Sequence, residues 1–309
     1  MKCVVFGGGG FIGSHLSEAL IKAGHDVTIF DKPNARYLEC FHQQNANIFT
    51  GDFFNETDLD RSLKGCDVAY HLVSVTVPQT SNENPAYDVK ANILGTLQLL
   101  EAAKKASVQK IVFASSGGTV YGIPYELPIK ENHLTDPITS YGITKLTIEK
   151  YLQLYWRLYG LDYCILRIAN AYGERQSVTK TQGVIPTFLD NALQKKEIVV
   201  WGDGAVIRDY IYVRDIVRAF IDATLYKGEP RIFNIGSGQG HSLNQIISLL
   251  EAITQLPLQV RYTLGRPFDV PVNILDISRA QTLLNWYPSI SLLDGITRMH
   301  DWMLNNNQR

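Results

Sequence analysis

Short apolar runs recur along the first half of the chain, and between them apolar positions return every three or four residues. The short runs predict strands at 2–7, 26–31, 47–50, 67–72, 109–115 and 162–168. The helical spacing predicts helices over 11–23, 56–64, 86–106 and 141–159. Strands alternating with helices in this way give an α/β fold, a doubly wound parallel sheet with helices on both faces. After Arg167 the rhythm loosens. A helix near 182–195, strands near 198–200 and 231–235, and helices near 243–255 and 292–305 suggest a smaller C-terminal lobe. The expected division is residues 1–167 and residues 168–309. No repeat, low-complexity tract or charged tail interrupts either part.

The first strand runs into Gly7-Gly-Gly-Gly10-Phe11-Ile12-Gly13, where a helix opens. Strand, glycine turn and helix together are the context of a dinucleotide site. The glycines let the backbone approach a pyrophosphate, which sits on a helix N-terminus. Their spacing here is Gly7-x-x-Gly10-x-x-Gly13. Asp31 ends the second strand. A carboxylate there can bind both ribose hydroxyls of NAD and repel the 2′-phosphate of NADP. NADH is therefore the expected cofactor form, with Lys32 and Arg36 close enough to make NADPH possible.

Tyr141 and Lys145 lie four apart in a helical stretch, so they share a helix face. A phenol beside an ammonium is drawn toward phenolate and becomes a usable acid/base near neutral pH. The strand Lys110-Ile-Val-Phe-Ala-Ser-Ser116 ends in a glycine loop, where a hydroxyl can meet a substrate oxygen beyond the carboxyl edge of the sheet. Arg208 and Arg266 are candidate diphosphate anchors, because two guanidiniums offer planar bidentate donors to a phosphate pair.

These motifs continue through Gly51-Asp52, His71-Leu72, Asn92-x-x-Gly95-Thr96, Asn170-Ala-Tyr-Gly173, Arg208-Asp-Tyr-Ile-Tyr-Val, Arg266-x-x-Asp269 and Trp286-Tyr-Pro288. Together they resemble the extended short-chain dehydrogenases/reductases that act on nucleotide sugars, and the resemblance covers nearly the whole chain. It implies a Rossmann domain that binds NAD, with residues 205–235 returning to it, and a lobe that binds the sugar nucleotide. It implies that Asp52 contacts the adenine amine, with Phe53 beside it, and that Leu72 and Val73 flank the cofactor. Asn92 would brace the Ser116 strand. Asn170 would bind the diphosphate or sugar. Tyr141 would exchange a proton with the sugar 4-oxygen, Ser116 would share that hydrogen bond, and Lys145 would bind the nicotinamide ribose and lower the Tyr141 pKa.

The chain departs from that pattern between Ser116 and Tyr121, where one extra glycine intervenes. Counting along the strand puts Ser116 in the catalytic place, and Thr119 is the reserve. Gly117 and Gly118 stand where the resembling 4,6-dehydratases carry an acidic pair, which excludes that reaction. Val73, Val75 and Val77 suggest an apolar wall suited to a 6-methyl group. The chain resembles the dTDP-4-dehydro-6-deoxyglucose reductases that form dTDP-fucose for surface polysaccharide, and this is the expected activity. A UDP-glucose or UDP-N-acetylglucosamine 4-epimerase with tightly bound NAD is the alternative. A non-catalytic NAD sensor would need no proton donor.

Charged residues are 19% of 309 and the net charge is −1, which gives no sign of nucleic-acid binding. The four cysteines and seven histidines show no metal-ligand spacing, and no metal is expected. No apolar run nears the roughly 18 residues that span a bilayer, and the first strand leaves no room for a signal peptide. A cytoplasmic enzyme is expected. The apolar excess of helix 146–159 suggests a homodimer formed with helix 86–106.

Overall fold

The structure is a computed structural model that describes residues 1–41, 46–178, 183–265 and 270–307. The chain begins with β1 (Lys2–Phe6), α1 (Phe11–Lys22), β2 (Asp26–Asp31), β3 (Asn47–Thr50), α2 (Glu56–Ser62) and β4 (Val68–His71). Short α3 (Pro78–Glu83) and α4 (Pro85–Asp88) lead through a π-wound stretch, Val89–Leu94, into α5 (Gly95–Lys105). Then come β5 (Lys110–Ser116), α6 (Ser140–Tyr159), β6 (Asp162–Ile168), β7 (Asn170–Tyr172), α7 (Val184–Leu193), β8 (Ile198–Trp201) and β9 (Ile207–Tyr212). The chain ends with α8 (Val213–Leu225), β10 (Ile232–Ile235), β11 (Gly240–Ser242), α9 (Leu243–Thr254), β12 (Val260–Thr263), β13 (Val272–Asn273), α10 (Ser278–Leu284) and α11 (Leu292–Asn307).

Seven strands form one parallel sheet in the order β10-β6-β5-β4-β1-β2-β3. Its strands read as apolar runs because both faces are covered. Side chains alternate between faces along each strand. Cys3 and Val5 of β1 thus join one core with α1 and α8, through Leu16, Leu20, Ile216 and Phe220. Val4 and Phe6 join the opposite core with α5 and α6, through Leu99, Leu100, Ile148 and Leu152. This is the expected doubly wound Rossmann sheet.

A third core, built on Phe188, Val200, Tyr212, Ile246 and Met299, holds the second lobe. There β9 lies between antiparallel β11 and parallel β13, with β7 also pairing β9 in parallel. Of the stretch 205–235, β10 joins the large sheet and α8 packs on α1, but β9 belongs to this separate small sheet. Residues 86–106, expected as one regular helix, are helical with a π-wound insert.

Candidate active site

The order of the large sheet reverses direction between β1 and β4, so the connections after them leave on opposite faces and open a crevice at their carboxyl ends. A cleft of about 950 Å³ lies there. It begins at Gly7, Gly10, Phe11, Ile12 and Gly13, passes Leu72, Ser116, Tyr141 and Lys145, and reaches Asn170 and Arg208 under the second lobe.

The glycine turn suits a pyrophosphate. Gly7 has φ +83°, which favours glycine, and a Cβ on Gly13 would meet the Gly7 carbonyl oxygen at 2.1 Å. Gly10 caps α1 without any side-chain hydrogen bond, so the first N–H groups of α1 remain directed to the cleft. Asp31 stands at the end of β2. Its carboxylate accepts hydrogen bonds from Gly9 N at 2.9 Å and Lys32 N at 2.8 Å, while burial pushes its pKa up.

The two adenine-side candidates follow β3. Asp52 is exposed, and its Oδ1 accepts from Phe54 N at 3.0 Å. Neither Asp52 nor Phe53 lines the cleft. The Phe53 ring lies in the core, stacked on His71 with centroids 5.4 Å apart. His71 is itself buried against Thr96 Oγ1 at 2.8 Å, and burial brings its pKa down to about 3.

α6 carries Tyr141 and Lys145 into the cleft, with Thr139 capping its N-terminus through Gly142 N. Burial pushes the Tyr141 phenol up to about 12, against the lowering effect of a hydrogen bond with Ser74. Burial also brings Lys145 down to about 8. Burial, Ser74 and Asp88 are the influences on the phenol, and Lys145 is not among them. The ammonium lies 5.6 Å from the Tyr141 ring centroid and donates to Ala114 O at 2.9 Å. Desolvation of the phenol outweighs a cation directed elsewhere.

β5 separates the two serines by its alternation. Ser115 is buried, and its hydroxyl donates to Glu149 Oε1 at 2.5 Å. Glu149 is paired with Arg167 at 2.7 Å in a buried ion pair. Ser116 and Thr119 both line the cleft. The Thr119 hydroxyl is buried with no hydrogen-bond partner among the described residues. A Cβ on Gly117 would lie 2.5 Å from Leu275 Cδ1 and 3.0 Å from Arg167 O, so this loop has no room for a larger residue at 117.

Asn92 braces a different element from the one expected. It is buried, and its Oδ1 accepts from Val75 N at 3.0 Å, so it supports the loop after β4 and not the Ser116 strand. That loop turns Ser74 to the cleft. Val73 packs into the core, Val75 is 44% exposed, and neither they nor Val77 line the cleft. The expected apolar wall is absent because the loop, unlike a strand, imposes no alternation. Arg266 lies outside the described residues. Sequence reading missed Asp88, Glu149 and Tyr210. Tyr210 is 5% exposed and lines the cleft with a hydroxyl that has no hydrogen-bond partner among the described residues. The alternation of Arg208-Asp-Tyr210 along β9 was the available signal for it. Among the described residues no cluster of acidic, histidine or cysteine groups could hold a metal, and no helix is long and apolar enough to cross a membrane.

Residues 3–236 match the NAD dependent epimerase/dehydratase family. The chain is 40% identical to a putative UDP-glucose 4-epimerase of Methanocaldococcus jannaschii, with 99% of each chain covered. It is 32% identical to a dTDP-4-dehydro-6-deoxyglucose reductase of Escherichia coli, over 96% of this chain and 95% of that one. Among solved structures, UDP-glucose 4-epimerase of Thermotoga maritima with UDP-glucose superposes with a TM-score of 0.94 at 37% identity, over 99% of this chain and 100% of that one. UDP-glucose 4-epimerase of Thermus thermophilus in complex with NAD gives 0.92 at 29% identity, over 98% and 99%.

Proposed function

Because the chain belongs to the NAD dependent epimerase/dehydratase family, we propose that it is a 4-epimerase of a UDP-activated neutral hexose, with UDP-glucose as the first substrate to test. The observation that carries this reading is the correspondence to UDP-glucose 4-epimerases through both lobes, including the one beyond the large sheet. The reductase reading leaned on an apolar wall, and Ser74 stands in the cleft where the valines were expected. A neutral sugar is favoured because Lys145 and Arg208 are the charged side chains lining the cleft among the described residues. A uronate would bring a further carboxylate, to be met among the described residues by neutral donors alone.

NAD, when bound at the glycine turn, supplies the means to oxidise and then reduce C4 of the sugar. The uncapped start of α1 receives the pyrophosphate, and Asp31 receives the adenosine ribose hydroxyls. Lys145 holds the nicotinamide ribose. Tyr141, entering the step as phenolate, takes the proton from the 4-hydroxyl and, as the phenol, returns it after the other face of the keto sugar has been reduced, while Ser116 donates a hydrogen bond to the same oxygen. Arg208 and Asn170 hold the diphosphate, with Arg266 assigned to the same anion. The exposed apolar residues Leu154 and Leu158 on α6, with Leu94 beside α5, form the face of a two-fold dimer.

Retained cofactor decides the reading. Protein taken through gel filtration is expected to carry roughly one NAD per chain, because an epimerase recycles its reducing equivalents. It is expected to interconvert UDP-glucose and UDP-galactose without consuming added NADH. Cofactor-free protein that oxidises NADH with dTDP-4-dehydro-6-deoxyglucose, and leaves UDP-glucose untouched, would restore the reductase.

A further inference from the structure

Asp88, the last residue of α4, is 0% exposed and takes no part in the chemistry assigned above. Its Oδ1 accepts from Asn92 Nδ2 at 2.8 Å and from the Thr76 hydroxyl. Its Oδ2 accepts from Ser140 Oγ and from Thr144 Oγ1, each at 2.7 Å. All four partners donate, which suits a carboxylate that can only accept. Thr76 lies in the loop that turns Ser74 to the cleft. Ser140 and Thr144 bracket Tyr141 on the first turns of α6. Two further contacts fasten the same turn: Ser140 N donates to Asn82 Oδ1 at 2.9 Å, and Tyr141 N to Ser81 Oγ at 3.0 Å.

We propose that Asp88 is a positioning residue for the Tyr141–Lys145 pair, clamping the cleft wall to α6 and placing a negative charge beside the lysine. The proposal rests on the assignment of Tyr141 and Lys145 as the working pair. Both effects have independent support. The clamp follows from one carboxylate bonding two segments, each of which sends a side chain into the cleft. The charge follows from the bond of Asp88 Oδ2 to Thr144, the residue next to Lys145 on α6. Burial lowers Lys145, and Asp88 is the largest opposing influence, ahead of Glu149. Burial raises Tyr141, and Asp88 raises it further. Glu149 on α6 is already matched by Arg167 at 2.7 Å. His71 on β4 faces Lys145 and stays neutral because burial holds it near 3. Asp88 has no lysine or arginine partner among the described residues, so its field is not cancelled locally. A charge held near a helix N-terminus is also favourably placed against the helix dipole.

The test compares three variants by the pH dependence of kcat and KM. Asp88→Asn keeps the shape, removes the charge and turns one acceptor oxygen into a donor. It is expected to lower kcat about tenfold, leave KM within about twofold, and move the alkaline limb of kcat down by about one pH unit. Thr144→Val keeps the charge and removes one donor. It should lower kcat a few-fold and leave the limb where it is in wild type. Tyr141→Phe, run alongside, separates the layers: substantial turnover there removes the site assignment itself, and not only the role of Asp88. With Tyr141→Phe inactive, an unmoved limb in Asp88→Asn overturns the proposal whatever happens to stability. A limb moved as far by Thr144→Val also overturns it, because the charge is still present. Should Asp88→Asn fail to fold, Thr144→Val decides alone: reduced kcat with an unmoved limb supports the clamp, and wild-type kcat overturns it.

Discussion

Around Gly7–Gly13 the cleft wall is shaped by the backbone of one continuous segment, whereas around Tyr141 it is shaped by side chains drawn from several. At the glycine turn, Gly10 N donates to Gly7 O and Ser14 N to Gly10 O, and Gly13 packs directly on Gly7. At the start of α6, Ser81, Asn82, Asp88 and Thr139 each contribute a side-chain acceptor. The first arrangement leaves little room for an added atom, and its partners outside the turn, Phe30 O for Gly7 N and Gly8 N and Asp31 for Gly9 N, lie within 23 positions. The second accommodates ordinary side chains but depends on residues up to 60 positions away. The turn has only to present N–H groups to a phosphate, a task for main chain. The pair on α6 has to hold two titratable groups at chosen charge states, which main chain alone does not provide.

Gly13→Ala should break the first wall most severely. The added methyl would meet a backbone carbonyl at 2.1 Å, and neither atom belongs to a flexible side chain. Overpacking of this kind costs about 3 kcal/mol or more. Cofactor content after gel filtration, read with the melting temperature, should fall together. Full NAD content with an unchanged melting temperature would show that the turn can relax, and the contrast between the walls would weaken.

Lys145→Met probes the second wall through pH. The lysine lies at about 8 in the folded chain against an ordinary 10.5, so folding disfavours its ammonium. That destabilisation is complete below pH 8, where both states are protonated. It fades as pH rises toward 10.5, where the unfolded chain also releases the proton. The cost is on the order of 3 to 4 kcal/mol at most, and the lost hydrogen bond to Ala114 O offsets part of it. The variant is expected to be more stable than wild type at pH 7, with the two unfolding free energies converging between pH 8 and 10.5. Parallel curves over that interval would mean that Lys145 is not desolvated.

The same contrast explains what could be read from sequence. The large sheet was legible because most of its strands are buried on both faces and all run four residues or more, and the turn because its glycine spacing is read within seven residues. Asp31 stood at a strand end and was found there. β7, β11 and β13 are too short, at three, three and two residues, to show a period. β9 was expected to accompany β10 into the large sheet, but its pairing is fixed by β7, β11 and β13, none of which had been recognised. Asp88 looked like any polar residue in a helical stretch. Its four donors converge only after α4, the 72–77 loop and α6 have packed. The direction of Val75 and Val77 was unreadable for a related reason: loop side chains follow their supports, here Asn92 and Thr76, and not a repeat.

The smallest effect concerns which hydroxyl serves Tyr141. Both Ser116 and Thr119 reach the cleft, but they are placed differently. Both serines border the cleft, but the Ser115 hydroxyl is committed to Glu149, which leaves Ser116 as the strand-end hydroxyl for the substrate. Thr119 sits after the turn in which Thr119 N and Val120 N both donate to Ser116 O. Its hydroxyl is buried without a partner among the described residues, so removing it leaves no protein group unsatisfied. Ser116→Ala is expected to lower kcat roughly ten- to a hundredfold, as loss of one hydrogen bond to a charge-bearing oxygen does. Thr119→Ala should stay within a few-fold of wild type in kcat and match or exceed it in stability. The reverse order would place the catalytic hydroxyl beyond the extra glycine. The loop, held by Gly117 N on Ile168 O and by Asn273 on Gly117 O, would then fix the geometry in place of the strand.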